Sequence, residues 1–186
     1  MEYSPVATPA LSAFAAAVFA RQDLRDWLVD STPFAAAYRG ARSLHEEQRV
    51  RRGAMKQPFF VNYWWGDKTL ASCRTPGSTR AEVDAMLFLE APSLRRLAIH
   101  IEFKTPGERL PHDQADAYAP RAAWFADRAR CPRNMVPHDD WLTLGICGED
   151  EATSPSFAGF GRVVSHAEIA ARVPDYPVAR RTRHVV

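Results

Sequence analysis

Residues Glu82 to Lys104, EVDAMLFLEAPSLRRLAIHIEFK, give the clearest indication of a β-sheet in this chain. It contains two runs rich in apolar residues, 82–90 and 97–104, with a short connection around Ser93 between them. Apolar runs of this length that are separated by turn-forming residues predict two neighbouring β-strands. Because the connection is short, we expect the strands to pair as an antiparallel hairpin.

Alternation along these strands gathers charged residues on one face. Successive side chains in a strand point to opposite faces, so Glu102 and Lys104 share one face of the second strand. Glu82 and Asp84 share the corresponding face of the first strand. If Ser93 lies at the centre of the connection, Asp84 lies opposite Glu102. The pattern therefore predicts two carboxylates and one ammonium group at the open end of the hairpin.

This arrangement favours a bound cation. Like charges that oppose each other directly across a sheet are destabilising. Lys104 alone does not balance the two or three acids near it. A hard divalent cation such as Mg²⁺, or Mn²⁺ in its place, prefers oxygen ligands and keeps part of its water shell. We therefore expect a divalent metal ion at this end of the hairpin.

The same residues carry a resemblance to a known family. Asp84, followed by Glu102-Phe103-Lys104 at the end of the next strand, resembles the core motif of the PD-(D/E)xK nuclease superfamily. Downstream, Gln114-Ala-Asp-Ala-Tyr118 resembles the QxxxY motif of its RecB-like branch. The resemblance covers residues 43–147 and implies a restriction-endonuclease-like α/β fold. Val83 stands where the nominal motif has proline, which is a departure from the pattern.

The resemblance also implies roles for individual residues. Asp84 and Glu102 would hold the metal ion, with the carbonyl of Phe103 as a further ligand. Lys104 would position or activate the attacking water and stabilise the charge that develops on phosphorus. Gln114 and Tyr118 would orient the site or the nucleic-acid backbone.

Two further acids are candidates for the metal. Many members of the superfamily carry an acid on an upstream helix, and here it would be Glu46 or Glu47. Glu46 also fits a capping box with Ser43, so Glu47 is the favoured ligand. Glu82 lies on the correct face of its strand to be a third acid near the ion.

The whole chain is expected to form one α/β domain with a mixed sheet flanked by helices. It has 186 residues, of which 46% are hydrophobic, enough for one core. We divide it into a helical part (1–42), the nuclease-like core (43–147) and a C-terminal part with a strand, a short helix and a basic tail (148–186). The other predicted elements are helices over 8–30, 43–53, 113–130 and 165–173, a hairpin over 59–73, and strands over 141–147 and 157–164. Pro120 should kink or divide the helix in which it lies.

Composition limits the partners and the compartment. The net charge is only +2, so a nucleic-acid surface would have to be local, and Arg51, Arg52 and Arg121 are its candidates. Three cysteines without CxxC spacing argue against disulfides and structural zinc and favour a reducing compartment. The most apolar stretch, 10–20, is too short to cross a bilayer. We therefore expect a cytoplasmic protein without a membrane partner, and the oligomeric state, a homodimer included, stays open.

The sequence predicts a metal-dependent nuclease, with DNA favoured over RNA. Two alternatives stay open. The chain could be a noncatalytic member of the same fold that binds nucleic acid or protein. It could also be an unrelated α/β domain in which the ExK pattern is coincidental, since exposed strands often carry Glu and Lys two positions apart.

Overall fold

The computed structural model describes residues 7–53, 83–111 and 114–177. Its helices are α1 (Ala7–Ala20), α2 (Gln22–Val29), α3 (Ala35–Tyr38), α4 (His45–Arg52), α5 (Tyr118–Ala126) and α6 (His166–Ala170). Its strands are β1 (Arg42–Ser43), β2 (Ala85–Glu90), β3 (Arg96–Phe103), β4 (Asp140–Cys147) and β5 (Arg162–Ser165). The predicted hairpin over 59–73, Glu82 and the basic tail lie outside the described residues.

The strands form one five-stranded sheet in the order β1-β2-β3-β4-β5. β1 and β2 pair antiparallel, as do β2 and β3, whereas β3–β4 and β4–β5 are parallel. Because a parallel pair requires a crossover, the chain passes through α5 between β3 and β4. The predicted α/β class with a mixed sheet is therefore confirmed. No helix in the described ranges is long and apolar enough to cross a bilayer.

The hairpin has the register expected from the sequence. Ala85 pairs with Ile101 and Leu89 with Leu97, so the connection is centred on Ser93. Every residue of β2 is buried, as are the residues of β3 after Arg96. Packing on both faces of the sheet explains why even the polar face of β3, which carries Glu102, lies inside the protein.

The single helix predicted over 8–30 is wrong, because the chain breaks between α1 and α2. Arg21 has extended backbone angles, with φ −116° and ψ 123°. The Arg25 guanidinium donates hydrogen bonds to the carbonyls of Val18 and Phe19, in the last turn of α1, at 2.8 and 3.0 Å. These carbonyls lack intrahelical partners at a helix end, so the arginine stabilises the break.

The helix predicted over 113–130 is shorter than expected and begins at Tyr118. Pro120 falls in its first turn, where a backbone N–H has no intrahelical acceptor, so the proline removes no intrahelical hydrogen bond. Before it the chain forms tight turns, with the Ala117 N–H donating to the Gln114 carbonyl at 3.2 Å. Gln114 therefore precedes the helix instead of lying on its face.

Smaller differences occur at other element ends. The capping box of Ser43 with Glu46 is wrong: Ser43 belongs to β1, and its hydroxyl accepts from the His45 N–H. The strand predicted over 157–164 is confined to β5, because a 3-10 turn, Pro155–Phe157, precedes it. The capping box of Ser165 with Glu168 at the start of α6 is confirmed.

Candidate functional site

A buried carboxylate lies near the end of β3 and accepts hydrogen bonds from three side chains. Glu102 Oε1 accepts from Gln114 Nε2 at 2.8 Å and from Lys104 Nζ at 2.9 Å. Its other oxygen, Oε2, accepts from the Tyr118 hydroxyl. The Glu102 side chain is only 3% exposed. Gln114, Lys104 and Tyr118 thus all donate to Glu102, and their hydrogen bonds fix the orientation of its carboxylate.

Lys104 follows β3 and carries its ammonium group back to this carboxylate. Nζ also lies 3.4 Å from Glu108 Oε1, and the side chain is 14% exposed. Burial acts to lower the pKa of Lys104, but the negative charges of Glu102, Glu108 and Asp84 outweigh it, and the pKa is raised. These neighbours therefore favour the charged form of Lys104.

Asp84 lies beside the same cluster, immediately before β2. Its backbone N–H donates to the Ile101 carbonyl at 3.0 Å, and its Oδ2 accepts from the Phe103 N–H at 2.7 Å. The field of Asp84 helps raise the pKa values of Lys104 and Tyr118. The structure thus brings Asp84 to the end of the hairpin that holds Glu102 and Lys104.

Tyr118 is fully buried and acts as a donor to Glu102. Burial, together with the charges of Glu102 and Asp84, raises its pKa well above the usual range. The phenol therefore keeps its proton and donates it in a hydrogen bond. The Arg121 guanidinium lies 4.5 Å from the centre of the Tyr118 ring, on its face, which adds a cation–π contact.

Arg121 is not a surface arginine, contrary to its predicted role in binding nucleic acid. It is 2% exposed, and its Nε donates to the Ala117 carbonyl at 2.7 Å. Tyr118 and Arg121 are three positions apart, so they lie on the same helix face, which packs onto the sheet. Arg121 is therefore a buried residue that packs against the Tyr118 ring.

Glu47 does not join the cluster. Its carboxylate pairs with Arg51 at 2.9 Å and with Arg96 at 3.1 Å. Arg96 begins β3 and Glu102 lies near its end, so the two are about 20 Å apart along the strand. Glu47 is therefore part of an ion-pair network at the opposite end of the sheet, and its predicted role as a metal ligand is not retained.

Arg51 and Arg52 of α4, which were predicted to contact nucleic acid, also pack differently from that prediction. Arg51 forms an ion pair with Glu47, one helical turn away. Arg52 is 7% exposed and packs inward. Arg52 is therefore not part of an exposed basic surface, whereas Arg51 is partly exposed and is held by Glu47.

Two further ion pairs lie at the start of β4. Asp140 pairs with Arg95 at 2.7 Å and accepts from the Tyr38 hydroxyl at 2.6 Å. Burial acts to raise the pKa of Asp140, but the hydrogen bonds from Arg95 and Tyr38 outweigh it, and the pKa is lowered. Asp139, which pairs with Arg128 at 2.8 Å, also has a lowered pKa.

These lowered pKa values predict acid sensitivity. A carboxylate whose folded-state pKa is depressed contributes stability above its unfolded pKa, and that stability is lost as the pH falls through the folded value. We expect the free energy of unfolding to decline below about pH 4, and Asp140→Asn to reduce the slope of that decline. Urea denaturation at a series of pH values measures both. If the free energy of unfolding declined with falling pH as steeply in Asp140→Asn as in the wild type, Asp140 would not contribute to the acid sensitivity.

Asp84 and Glu102 are the acids of the predicted site that could hold a hard cation such as Mg²⁺. Within the described ranges, no group of three or more histidine, cysteine or acidic side chains is placed to hold a metal ion. Asp84 and Glu102 supply two hard oxygen donors beside a cation. Mg²⁺ sites commonly use one or two carboxylates and complete their octahedron with water and substrate phosphate.

A buried histidine next to the cluster was not found from the sequence. His166, the first residue of α6, lies 2.8 Å from the Lys104 carbonyl through its Nε2. Burial lowers the pKa of His166, which keeps the imidazole neutral. The capping box at Ser165 was recognisable in the sequence and predicted where the helix starts. No local pattern indicated that His166 contacts Lys104, because the two residues are far apart in sequence.

No protein-family model matches the chain, and no curated protein or solved structure resembles it at a significant level. The chemistry of the site therefore follows from its own residues and distances. Those residues give two carboxylates, one fixed cation and two neutral donors at the end of a hairpin.

Proposed function

We propose that the protein is a Mg²⁺-dependent nuclease that hydrolyses phosphodiester bonds, with DNA as its favoured substrate. One observation carries this proposal: the buried Glu102 carboxylate holds the Lys104 ammonium at 2.9 Å beside Asp84. The order α4, β2, β3, α5, β4 around a mixed sheet also supports it, because this order is similar to that expected for the PD-(D/E)xK core.

Asp84 and Glu102 would hold the metal ion. A bound Mg²⁺ lowers the pKa of its water and neutralises charge on a phosphoryl group. Gln114 and Tyr118 hold the Glu102 carboxylate in one orientation through hydrogen bonds made away from bulk water. Such bonds are strong in a low local dielectric, so the carboxylate is preorganised to bind a cation.

Lys104 supplies the positive charge next to the reacting phosphate. Its raised pKa keeps it protonated, so its role is to stabilise negative charge as the phosphorus centre becomes five-coordinate. A preorganised cation is more effective than solvent in this role because it needs no reorganisation at the moment of reaction.

One observation favours the noncatalytic alternative, a member of this fold that binds nucleic acid or protein without cleaving it. Both oxygens of Glu102 already accept hydrogen bonds from three protein donors. A metal ion would have to share or displace one of these bonds. Binding without hydrolysis is therefore the main competing outcome in the assay below.

Cleavage assays with a matched pair of variants test the proposal. Purified protein is incubated with plasmid DNA, single-stranded DNA and RNA in Mg²⁺, Mn²⁺ or EDTA. We expect cleavage that EDTA abolishes, and a loss of about 10²-fold or more in Asp84→Asn, since that change removes a charged metal ligand. The control is Asp23→Asn, whose side chain is exposed and pairs with Arg21 two positions away, and we expect it to cleave like the wild type.

Two results would contradict the proposal. Cleavage that persists in EDTA, or that Asp84→Asn leaves intact, would point to another site or to a contaminating enzyme. Binding of DNA without cleavage in any metal would support the noncatalytic alternative.

A further inference from the structure

His166 contacts the backbone of the lysine in the candidate site. It is buried at the junction of β5 and α6. Its Nε2 lies 2.8 Å from the Lys104 carbonyl oxygen, and its Nδ1 lies 2.7 Å from the Tyr176 hydroxyl. Tyr176 is buried as well. The imidazole thus bridges the C-terminal segment and the end of β3.

The two hydrogen-bond partners of His166 determine which of its ring nitrogens carries the proton. A carbonyl oxygen can only accept, so Nε2 must donate to Lys104. In a neutral imidazole Nδ1 is then an acceptor, and the Tyr176 hydroxyl donates to it. A histidine that has its second nitrogen occupied in this way is held in one tautomer and one ring orientation.

Contacts from the neighbouring strand and helix fix the position of the His166 ring. Ser165, the last residue of β5, pairs with Cys147 of β4 and caps α6 through a reciprocal bond with Glu168. This cap fixes the backbone of His166 at the helix start. The Phe103 ring meets the imidazole edge-on, with 5.0 Å between the ring centres.

Lys104 is therefore held on both sides of its backbone. Its N–H donates to the Ile146 carbonyl of β4 at 2.8 Å, and its carbonyl accepts from His166. These two bonds fix the peptide planes around the residue and, with them, the direction in which its side chain leaves the strand. The ammonium group then reaches Glu102 at 2.9 Å.

We infer that His166, oriented by Tyr176, is a positioning residue that holds Lys104 toward Glu102. The catalytic consequence rests on the proposed nuclease function, whereas the positioning itself does not. Displacement of a reacting or stabilising group by about 1 Å can cost about 10²-fold in rate. Loss of the His166 bond should therefore reduce the rate through Lys104, although His166 touches no substrate.

Chemical labelling tests the positioning without any activity. The reactivity of the Lys104 amine toward acetic anhydride is measured by mass spectrometry in the metal-free protein. We expect it to rise about fivefold in His166→Leu, because local opening exposes the ammonium, and to stay within about twofold of the wild type in His166→Gln. The glutamine amide can reach the Lys104 carbonyl and donate to it as Nε2 does.

The thiol of Cys147 reports whether the region has merely loosened. Cys147 is buried in β4 next to the site and should stay protected in His166→Leu. Unchanged Lys104 labelling, or a parallel rise at Cys147, would overturn the inference. If His166→Leu does not fold, His166→Asn replaces it, since its shorter amide cannot reach the Lys104 carbonyl.

Kinetics separate this inference from the proposed function. We expect His166→Leu to lower kcat by about 10- to 100-fold with KM nearly unchanged, and His166→Gln to recover most of the rate. If the wild type cleaves nothing while the labelling pattern holds, the proposed function fails and the positioning stands. If cleavage depends on metal but the labelling or the kinetic pattern fails, the inference alone is overturned.

Discussion

Replacing Lys104 with methionine is expected to lower kcat for metal-dependent cleavage by about 10²–10³-fold. Methionine keeps most of the volume of the side chain and removes the charge together with the N–H donors of the ammonium group. The Lys104 ammonium lies 2.9 Å from Glu102 and 3.4 Å from Glu108, and its side chain is largely buried, so the substitution removes a cation that its neighbours hold in position. KM should change much less, because substrate binding uses many other contacts.

The protein should remain folded without Lys104 but lose stability, because the buried Glu102 charge loses its cationic partner. Glu102 keeps two donors, Gln114 and Tyr118, so its carboxylate is not left without hydrogen bonds. Thermal unfolding measured beside the kinetics checks this. The control is Arg49→Met, which removes an exposed cation that is paired with Glu46 on α4, and we expect its rate to stay within about twofold of the wild type. A Lys104→Met enzyme with the wild-type rate would remove the lysine from the mechanism.

Replacing Glu102 with leucine should have the largest effect on stability. The change leaves the Lys104 ammonium, the Tyr118 hydroxyl and the Gln114 amide without their shared acceptor. Removal of one partner from a buried ion pair costs about 3–5 kcal/mol of unfolding free energy, because the other charge stays buried. The exposed Glu108 still lies 3.4 Å from Lys104 and offsets part of this cost, so we expect a value near the lower limit.

A double-mutant cycle isolates the contribution of the ion pair. Glu102→Leu combined with Lys104→Met removes both charges, so the double variant should be more stable than Glu102→Leu alone. Urea denaturation in EDTA measures all the variants without any bound metal. Glu46→Leu is the matched control, since it removes an exposed glutamate, and we expect a change within about 0.5 kcal/mol. A cost for Glu102→Leu no larger than that of the control would show that the pair does not form.

Local pattern was sufficient to predict the hairpin and the core of the site. The period-2 alternation in β2 and β3 and the turn at Ser93 set both the faces and the register. Once that register is known, Asp84, Glu102 and Lys104 must share one end of the hairpin. Gln114 and Tyr118 were predicted to orient the site or the nucleic-acid backbone, and the structure adds that both donate to Glu102, with Gln114 reaching it from a turn instead of from the helix.

Long-range contacts explain the parts that the sequence did not predict. Glu47 is drawn to Arg96, a residue on a different element, and no spacing within α4 indicates that partner. The break after α1 depends on Arg25, whose guanidinium turns back to carbonyls in the preceding helix. Arg121 could have been recognised as buried, because its helical spacing from Tyr118 puts both on the face toward the sheet. The bond from His166 to Lys104 joins residues too far apart in sequence for any local pattern.

Anomalous diffraction from crystals soaked in Mn²⁺ shows whether Asp84 and Glu102 hold a metal ion. Mn²⁺ takes the same oxygen ligands as Mg²⁺ and gives a strong anomalous signal. We expect one major peak within coordination distance of carboxylate oxygens of both Asp84 and Glu102, and loss of that peak in Asp84→Asn crystals. A wild-type crystal with no manganese at these carboxylates, or with its major peak elsewhere in the molecule, would contradict the assignment of a metal-dependent site to this hairpin.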